Sequence, residues 1–226
     1  MKNPFLKILL ASLLGIILTG CASINRSAPI AGVPHPAERM RQIRTLGENA
    51  NKVSQAKQQE YAQTLSKIVH EETDSLIRRE AVLAIAHYPG DVTVQTLKHA
   101  SSDSDRDVRE AVCAAWETYG GEMAVSELIQ ILANESDLDI RLDAIEMLGK
   151  MKNPQAVAAL AGPLSENDPA LQHFTVLALQ NITGEVKSGP EEWLAYCQEH
   201  AEQNSQHVAI TPTSPDTSLK KQTSDL

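Results

Sequence analysis

The chain has 226 residues, a formal net charge of −9, and few aromatic side chains (two Trp, four Tyr and two Phe). An acidic chain with no basic stripe repels phosphate backbones, which excludes nucleic acid as a partner. It repels anionic lipid headgroups too, so a hold on a membrane cannot come from a basic patch.

Residues 1–20 read as a targeting segment, with Lys2 and Lys7 ahead of an almost wholly apolar run from Leu9 to Leu18. That run is short of the roughly 20 residues a spanning helix needs and stands where a cleaved leader belongs. Its removal takes two lysines and no acids, moving the charge from −9 to −11. The segment ends in Leu18-Thr19-Gly20-Cys21, which resembles the lipobox of bacterial lipoproteins. The resemblance implies that Cys21 becomes the mature N-terminus, carrying a thioether-linked diacylglyceryl group and an amide-linked acyl chain. One acyl chain anchors marginally; several, at about 0.8 kcal/mol per methylene, hold firmly. In enteric lipoproteins an aspartate after the cysteine favours the inner membrane. Ala22 stands there, so the resemblance implies a periplasm-facing envelope protein leaning to the outer membrane.

Residues 21–36 carry three prolines (Pro29, Pro34, Pro36) and no periodicity, as expected of the lipidated N-terminus and a tether. Residues 37–73 turn helical in pattern (Met40, Ile43, Leu46, Val53, Leu65, Ile68, Val69) and are expected to form capping helices.

From residue 74 to about 200 one pattern of 31–32 residues is printed four times. Arg78, Arg109, Arg141 and Gln172 form one column. Asp74, Asp105, Asp137 and Asp168 stand four residues earlier, and Ile85, Trp116, Leu148 and Leu179 seven later. A fixed period of this length means stacked helical units that cannot bury their apolar faces alone. In each unit a first helix runs from the aspartate to a turn, and a second carries Val94, Val125, Val157 and Leu97, Leu128, Leu160 at helical spacing. Pro163 should kink or shorten its helix. In the last unit the second helix starts near Pro190, and Trp193 is expected to plug the open end of the stack. Residues 201–226 are rich in Thr, Ser, Pro, Gln and Lys and read as a disordered tail.

The Asp-x-x-Ile/Val-Arg-x-x-Ala-x-x-x-Leu segments, Asp74 to Ile85 and Asp137 to Leu148, with substituted copies at Asp105 to Trp116 and Asp168 to Leu179, resemble HEAT repeats in their short bacterial form. The resemblance implies an all-α solenoid of stacked antiparallel helix pairs. It also implies a structural ladder of aspartates and arginines (Asp74, Arg78, Asp105, Arg109, Asp137, Arg141, Asp168) between neighbouring units. Physical reasoning agrees in kind: an aspartate at a helix start accepts free backbone N–H groups, and an arginine fork can tie two loops. Gln172 should weaken the last rung. Asp103, Asp105 and Asp107 lack the glycine and glutamate of a calcium loop and read as a solvated turn.

No metal-ligand set, phosphate loop or nucleophile elbow appears, so no metal, cofactor or small-molecule substrate is expected and the chain reads as non-catalytic. Cys113 falls in a column otherwise held by Val82, Ile145 and Val176 and reads as a small core residue. Some HEAT-like proteins resemble bilin lyases; the export signal argues against that activity. Second helices of such arrays usually line the inner face, and their outward positions Thr96, His99, Glu127, Gln130 and Asn134 are the candidate binding row. The resulting expectation is a lipid-anchored scaffold that binds other proteins. The alternative is a structural spacer or self-associating subunit.

Overall fold

The computed structural model describes residues 35–210, with side chains described to residue 202. Leu18, Thr19, Gly20 and Cys21, most of the tether, and residues 211–226 lie outside the described residues. The chain divides into residues 1–38 and a compact unit from Arg39 to Leu226, and the latter holds the buried core of the described residues.

Every described element is helical: α1 (Pro36–Glu48), α2 (Gln55–Glu71), α3 (Ser75–Ile85), α4 (Asp91–Ala100), α5 (Arg106–Tyr119), α6 (Gly121–Asn134), α7 (Leu138–Met151), α8 (Ala161–Ser165), α9 (Pro169–Thr183) and α10 (Pro190–Ile210), with three short 3-10 turns. First helices pack on first helices (α3 on α5, α5 on α7, α7 on α9) while each second helix returns alongside, giving the all-α solenoid the periodicity implies. No described helix is long and apolar enough to cross a membrane.

The repeat columns are the core. Ile85, Trp116, Leu148 and Leu179 are at most 1% exposed, as are Leu97, Leu128 and Leu160 on the second-helix side. Cys113 is buried among them, and burial pushes its thiol up to about 12, with Asp143 adding to the shift. The four aspartates all cap. Asp74 accepts from the backbone N–H of Leu76, Asp105 from Asp107 and Val108, Asp137 from Asp139 and Ile140, and Asp168 from Ala170 and Leu171.

The residues expected to be capping helices are in register with the repeat. Arg39 takes the arginine column, Ile43 the Val82/Cys113/Ile145 column, and Gly47 the place that Gly149 holds eight residues after Arg141. The two glycines do the same job. A Cβ on Gly47 would stand 3.0 Å from the Cα of Ala84, and one on Gly149 would stand 2.9 Å from the Cα of Ala178. Only a bare backbone lets successive first helices approach this closely. The longer connection through the 3-10 turn Ala50–Lys52 puts this unit out of the 31–32-residue phase. Replacing Gly149 by Ala forces α7 and α9 apart. We expect a loss of about 1–3 kcal/mol in urea-unfolding stability, against less than about 0.5 kcal/mol for Gly162→Ala, where no heavy atom stands in the way.

One helix is shortened at Pro163, as expected, and one runs further than expected. The unit holding Pro163 has no continuous second helix, only 3-10 turns at Pro154–Ala156 and Ala158–Leu160 and the five-residue α8. Pro163 has no N–H to give a carbonyl one turn back, so it sits in the first turn of α8 and the residues before it take 3-10 turns instead. The tail expected from residue 201 instead begins inside α10, which continues to Ile210. Ahead of it, Trp193 is fully buried, with the Lys187 ammonium 5.0 Å from its ring and 4.2 Å from that of Tyr196.

Candidate protein-docking face

The ladder that holds the second helices in place differs from the expected one. Arg78, Arg109 and Arg141 do not fork onto the capping aspartates. Arg78 donates from Nε and Nη2 to both carboxylate oxygens of Asp103 at 2.9 and 2.8 Å. Arg109 donates to Glu135 at 3.0 Å, and Arg141 uses both terminal nitrogens on Glu166. Each acid stands two residues before a cap and itself forms a column, Glu72, Asp103, Glu135 and Glu166, spaced 31, 32 and 31. Arg39 supplies Glu72 from the first unit.

Each capping aspartate gives one oxygen, Oδ1, to the N–H groups of its own helix. The acid two residues upstream sits in the turn between units, where one of its oxygens also receives the N–H of the capping residue: Asp74 to Glu72, Asp105 to Asp103, Asp137 to Glu135. Asp103, expected in a solvated turn, is therefore a half-buried ladder acid with a side chain 9% exposed. Burial works against its ionisation, but the Arg78 fork and the Asp105 N–H outweigh that and hold its carboxyl below the usual range. Capping aspartates are reached across units in two places: Ser75 bonds Asp105, and Arg106 donates to Asp137 at 3.1 Å. Gln172, lacking a charge, reaches only the carbonyls of Leu164 and Glu166.

On the second-helix side the five candidate residues separate. Thr96 is 1% exposed and is not a binding residue. Its hydroxyl donates to the Val92 carbonyl within α4 and lies 2.8 Å from Ser66 Oγ on α2. The position falls on the face pressed against α2, which periodicity within α4 alone does not separate from the outward one. His99 is exposed but stacks on His70 of the neighbouring helix, ring centroids 4.2 Å apart and 13° from parallel. His70 is bonded through Nδ1 to the Ser66 carbonyl, so that nitrogen carries the proton when the ring is neutral.

Glu127, Gln130 and Asn134 do come together, along α6 at the wall of a cleft of about 350 Å³. Ser101 and Ser102 form its opposite wall, and Trp116, 1% exposed, also lines it. Lys98 holds Glu127 at 2.7 Å, and Asn134 donates to the Gln130 carbonyl at 2.8 Å. A second cleft of about 400 Å³ lies between α2 and the Tyr88–Thr93 turn. Gln55, Gln59 and Gln63 line it at four-residue spacing, all three exposed. In the sequence these glutamines look like polar filler of a surface helix; their i, i+4, i+8 placement is the signal that sets them on one face. The two clefts offer carboxamides, hydroxyls and short apolar floors, a chemistry for peptide groups and neutral side chains. Among the described residues, no three His, Cys, Asp or Glu side chains are placed to hold a metal ion.

No curated protein matches the chain. The crystal structure of an engineered protein is similar over 76% of this chain and 83% of its own, at 17% identity and a TM-score of 0.43. A family model for HEAT repeats matches residues 29–117 and 125–205, which takes in the Arg39 unit as well as the four printed repeats. The chain belongs to the HEAT-repeat family.

Proposed function

We propose that this chain is a lipid-anchored scaffold of the bacterial envelope that docks another protein on its second-helix face and performs no catalysis. HEAT-repeat solenoids commonly mediate protein interactions. The observation that carries the reading is the pair of open, largely neutral clefts along α2, α4 and α6, set in a frame whose charges are engaged in the ladder. Such a face gives a partner shape and hydrogen-bond donors without steering it by charge. The anchor rests on the leader and the Leu18-Thr19-Gly20-Cys21 segment, and the outer-membrane leaning rests on Ala22.

The test is crosslinking and capture from native membranes of three versions of the full chain: unaltered, Cys21→Ser, and Gln59→Arg with Gln130→Arg. We expect one envelope protein to be recovered reproducibly with the first. It should fall to background with the second, which should also lose its acyl mass, and drop at least about tenfold with the third, whose arginines sit in the clefts. Recovery unaffected by the arginines would overturn docking on this face. An unmodified Cys21 would overturn the anchor alone.

A further inference from the structure

The cleft between α2 and the Tyr88–Thr93 turn has an order of its own. Of the residues lining its volume of about 400 Å³, Asp91 alone is charged. Gln55, Gln59 and Gln63 stand along one wall. Gln58, between them in sequence, gives its amide N–H to the Ala50 carbonyl at 3.0 Å. The other three have no hydrogen-bond partner among the described residues, and each offers an acceptor oxygen and two donor N–H groups. Tyr88 and Thr93, buried like Ala62 beside them, are already satisfied: the phenol donates to the Leu46 carbonyl and the threonine hydroxyl to the Tyr88 carbonyl. The open polar side chains of the cleft are therefore three carboxamides in a row and one carboxylate.

The spacing of the row selects the shape of what it can hold. Four helical residues advance about 6.0 Å, so Gln55 and Gln63 stand about 12 Å apart along α2. In an extended chain every second residue turns its N–H and C=O to the same side, and the first and fifth residues are about 13 Å apart. A carboxamide pairs with such a residue twice, Oε1 accepting the N–H and Nε2 donating to the C=O. The flexible glutamine side chains take up the remaining difference of about 1 Å. A helical segment has no such groups to give, because its N–H and C=O are bonded to each other. A single amino acid engages one carboxamide and leaves two.

We propose that this cleft holds an extended segment of the partner protein, paired through its main chain to Gln55, Gln59 and Gln63, with a lysine or arginine of that segment on Asp91. The inference rests on the docking reading above and names what docks. Charge decides the side-chain preference. Asp91 has no ion-pair partner among the described residues, and it lies on the wall facing the glutamines. Lys57, on the same helix as the glutamines, is taken by Glu60 at 2.7 Å and lies over the Tyr61 ring. A basic side chain in the segment thus finds an unpaired acid, and an acidic one finds no cation lining the cleft.

The test uses the full chain in mild detergent and an array of end-blocked random nonapeptides, joined by nonapeptides tiling residues 22–34 and 211–226 of this chain. The tightest binder is resynthesised with one backbone N–H methylated at a time. Binding should fall about tenfold at every second position across five residues and hold at the positions between. Gln59→Met keeps the side-chain length without the carboxamide and should weaken the binder about threefold to tenfold, with helical circular dichroism unchanged. Asp91→Asn should remove the preference for Lys or Arg. An array without a binder, methylation losses without a period of two, or a binder indifferent to Gln59→Met would each overturn the proposal. So would a tightest binder from residues 22–34 or 211–226, which would give the cleft to the chain's own segment. Failure of docking itself reads differently. If Gln59→Arg alone leaves capture from native membranes unchanged, docking in this cleft and the extended segment both fall. If Gln59→Arg abolishes capture and the methylation losses have no period, docking stands and only the extended segment falls.

Discussion

Arg78→Ala should cost about 3 kcal/mol of folding stability at neutral pH, far more than a surface ion pair is worth. The side chains of Arg78 and Asp103 are 13% and 9% exposed, so the truncation leaves a carboxylate in a poorly hydrated turn without its fork. Removing one partner of such a pair is the expensive case, about 3–5 kcal/mol, whereas exposed pairs are worth about 0–1 kcal/mol. Arg78 also donates to the carbonyls of Glu72 and Thr73, so the turn that begins its own unit loses two bonds as well.

Protonation separates the causes. In the native chain the Asp103 carboxyl lies below its ordinary range, so its pairing stabilises fully above the unfolded value near about 4 and is lost as pH falls through the lower folded value. Burial opposes ionisation of Glu135 and Glu166, but the Asp137 N–H and Arg109 hold the first low and Arg141 the second, so the unaltered protein should weaken on acidification. In Arg78→Ala the stranded carboxylate is relieved by taking up a proton. The gap between variant and parent should therefore narrow from pH 7 to about pH 3.5 in urea titrations. Asp103→Asn on the Arg78→Ala background should recover part of the loss at pH 7. A cost under about 1 kcal/mol, unchanged with pH, would mean that the ladder is held by its backbone bonds alone.

Trp116→Ala should be as damaging, at about 3–5 kcal/mol, by a different route. The indole is 1% exposed, stands edge-on to Tyr119 with centroids 5.6 Å apart, and borders the cleft beside Gln130. Truncation loses buried apolar surface and opens a cavity that neighbouring helices, pinned by ladder rungs on both sides, can only partly close. Trp116→Leu restores the side-chain type of the column, where Leu148 and Leu179 stand in other units, and should cost about 1–3 kcal/mol. The order Ala worse than Leu in urea midpoint is the check. Equal losses would show that the indole is held by its edge contact with Tyr119 and not by its volume.

How much of the molecule is legible in its sequence depends on how far each signal reaches. The caps are legible because Asp74, Asp105, Asp137 and Asp168 act within three residues of themselves. The apolar columns are legible because a buried stripe repeats with the helix. The partners of the arginines are not, since Asp103, Glu135 and Glu166 lie 25 or 26 residues away and mix two residue types, which hides a column that is otherwise in phase. The Arg39 unit escapes the pattern because one longer turn breaks the period while the packing, glycine against alanine, stays the same. Thr96 is misplaced for a third reason: which flank of a second helix meets its neighbour is decided by stacking, and the repeat pattern marks only the inward stripe.

The acid-to-arginine rung also makes the interior of the molecule modular. Cutting out residues 103–134 would bring Glu135 to the position Asp103 now occupies, still within a fork's reach of Arg78, and would set Asp137 where Ser75 now meets Asp105. The deletion spans one full period, so Leu148 would succeed Ile85 in the core without a shift in phase. No such exchange works past Gln172, which offers a carboxamide to its own loop and nothing to a newcomer. The chain can thus gain or lose length from the middle, by duplication or excision of one 31–32-residue segment, while both of its ends stay as they are.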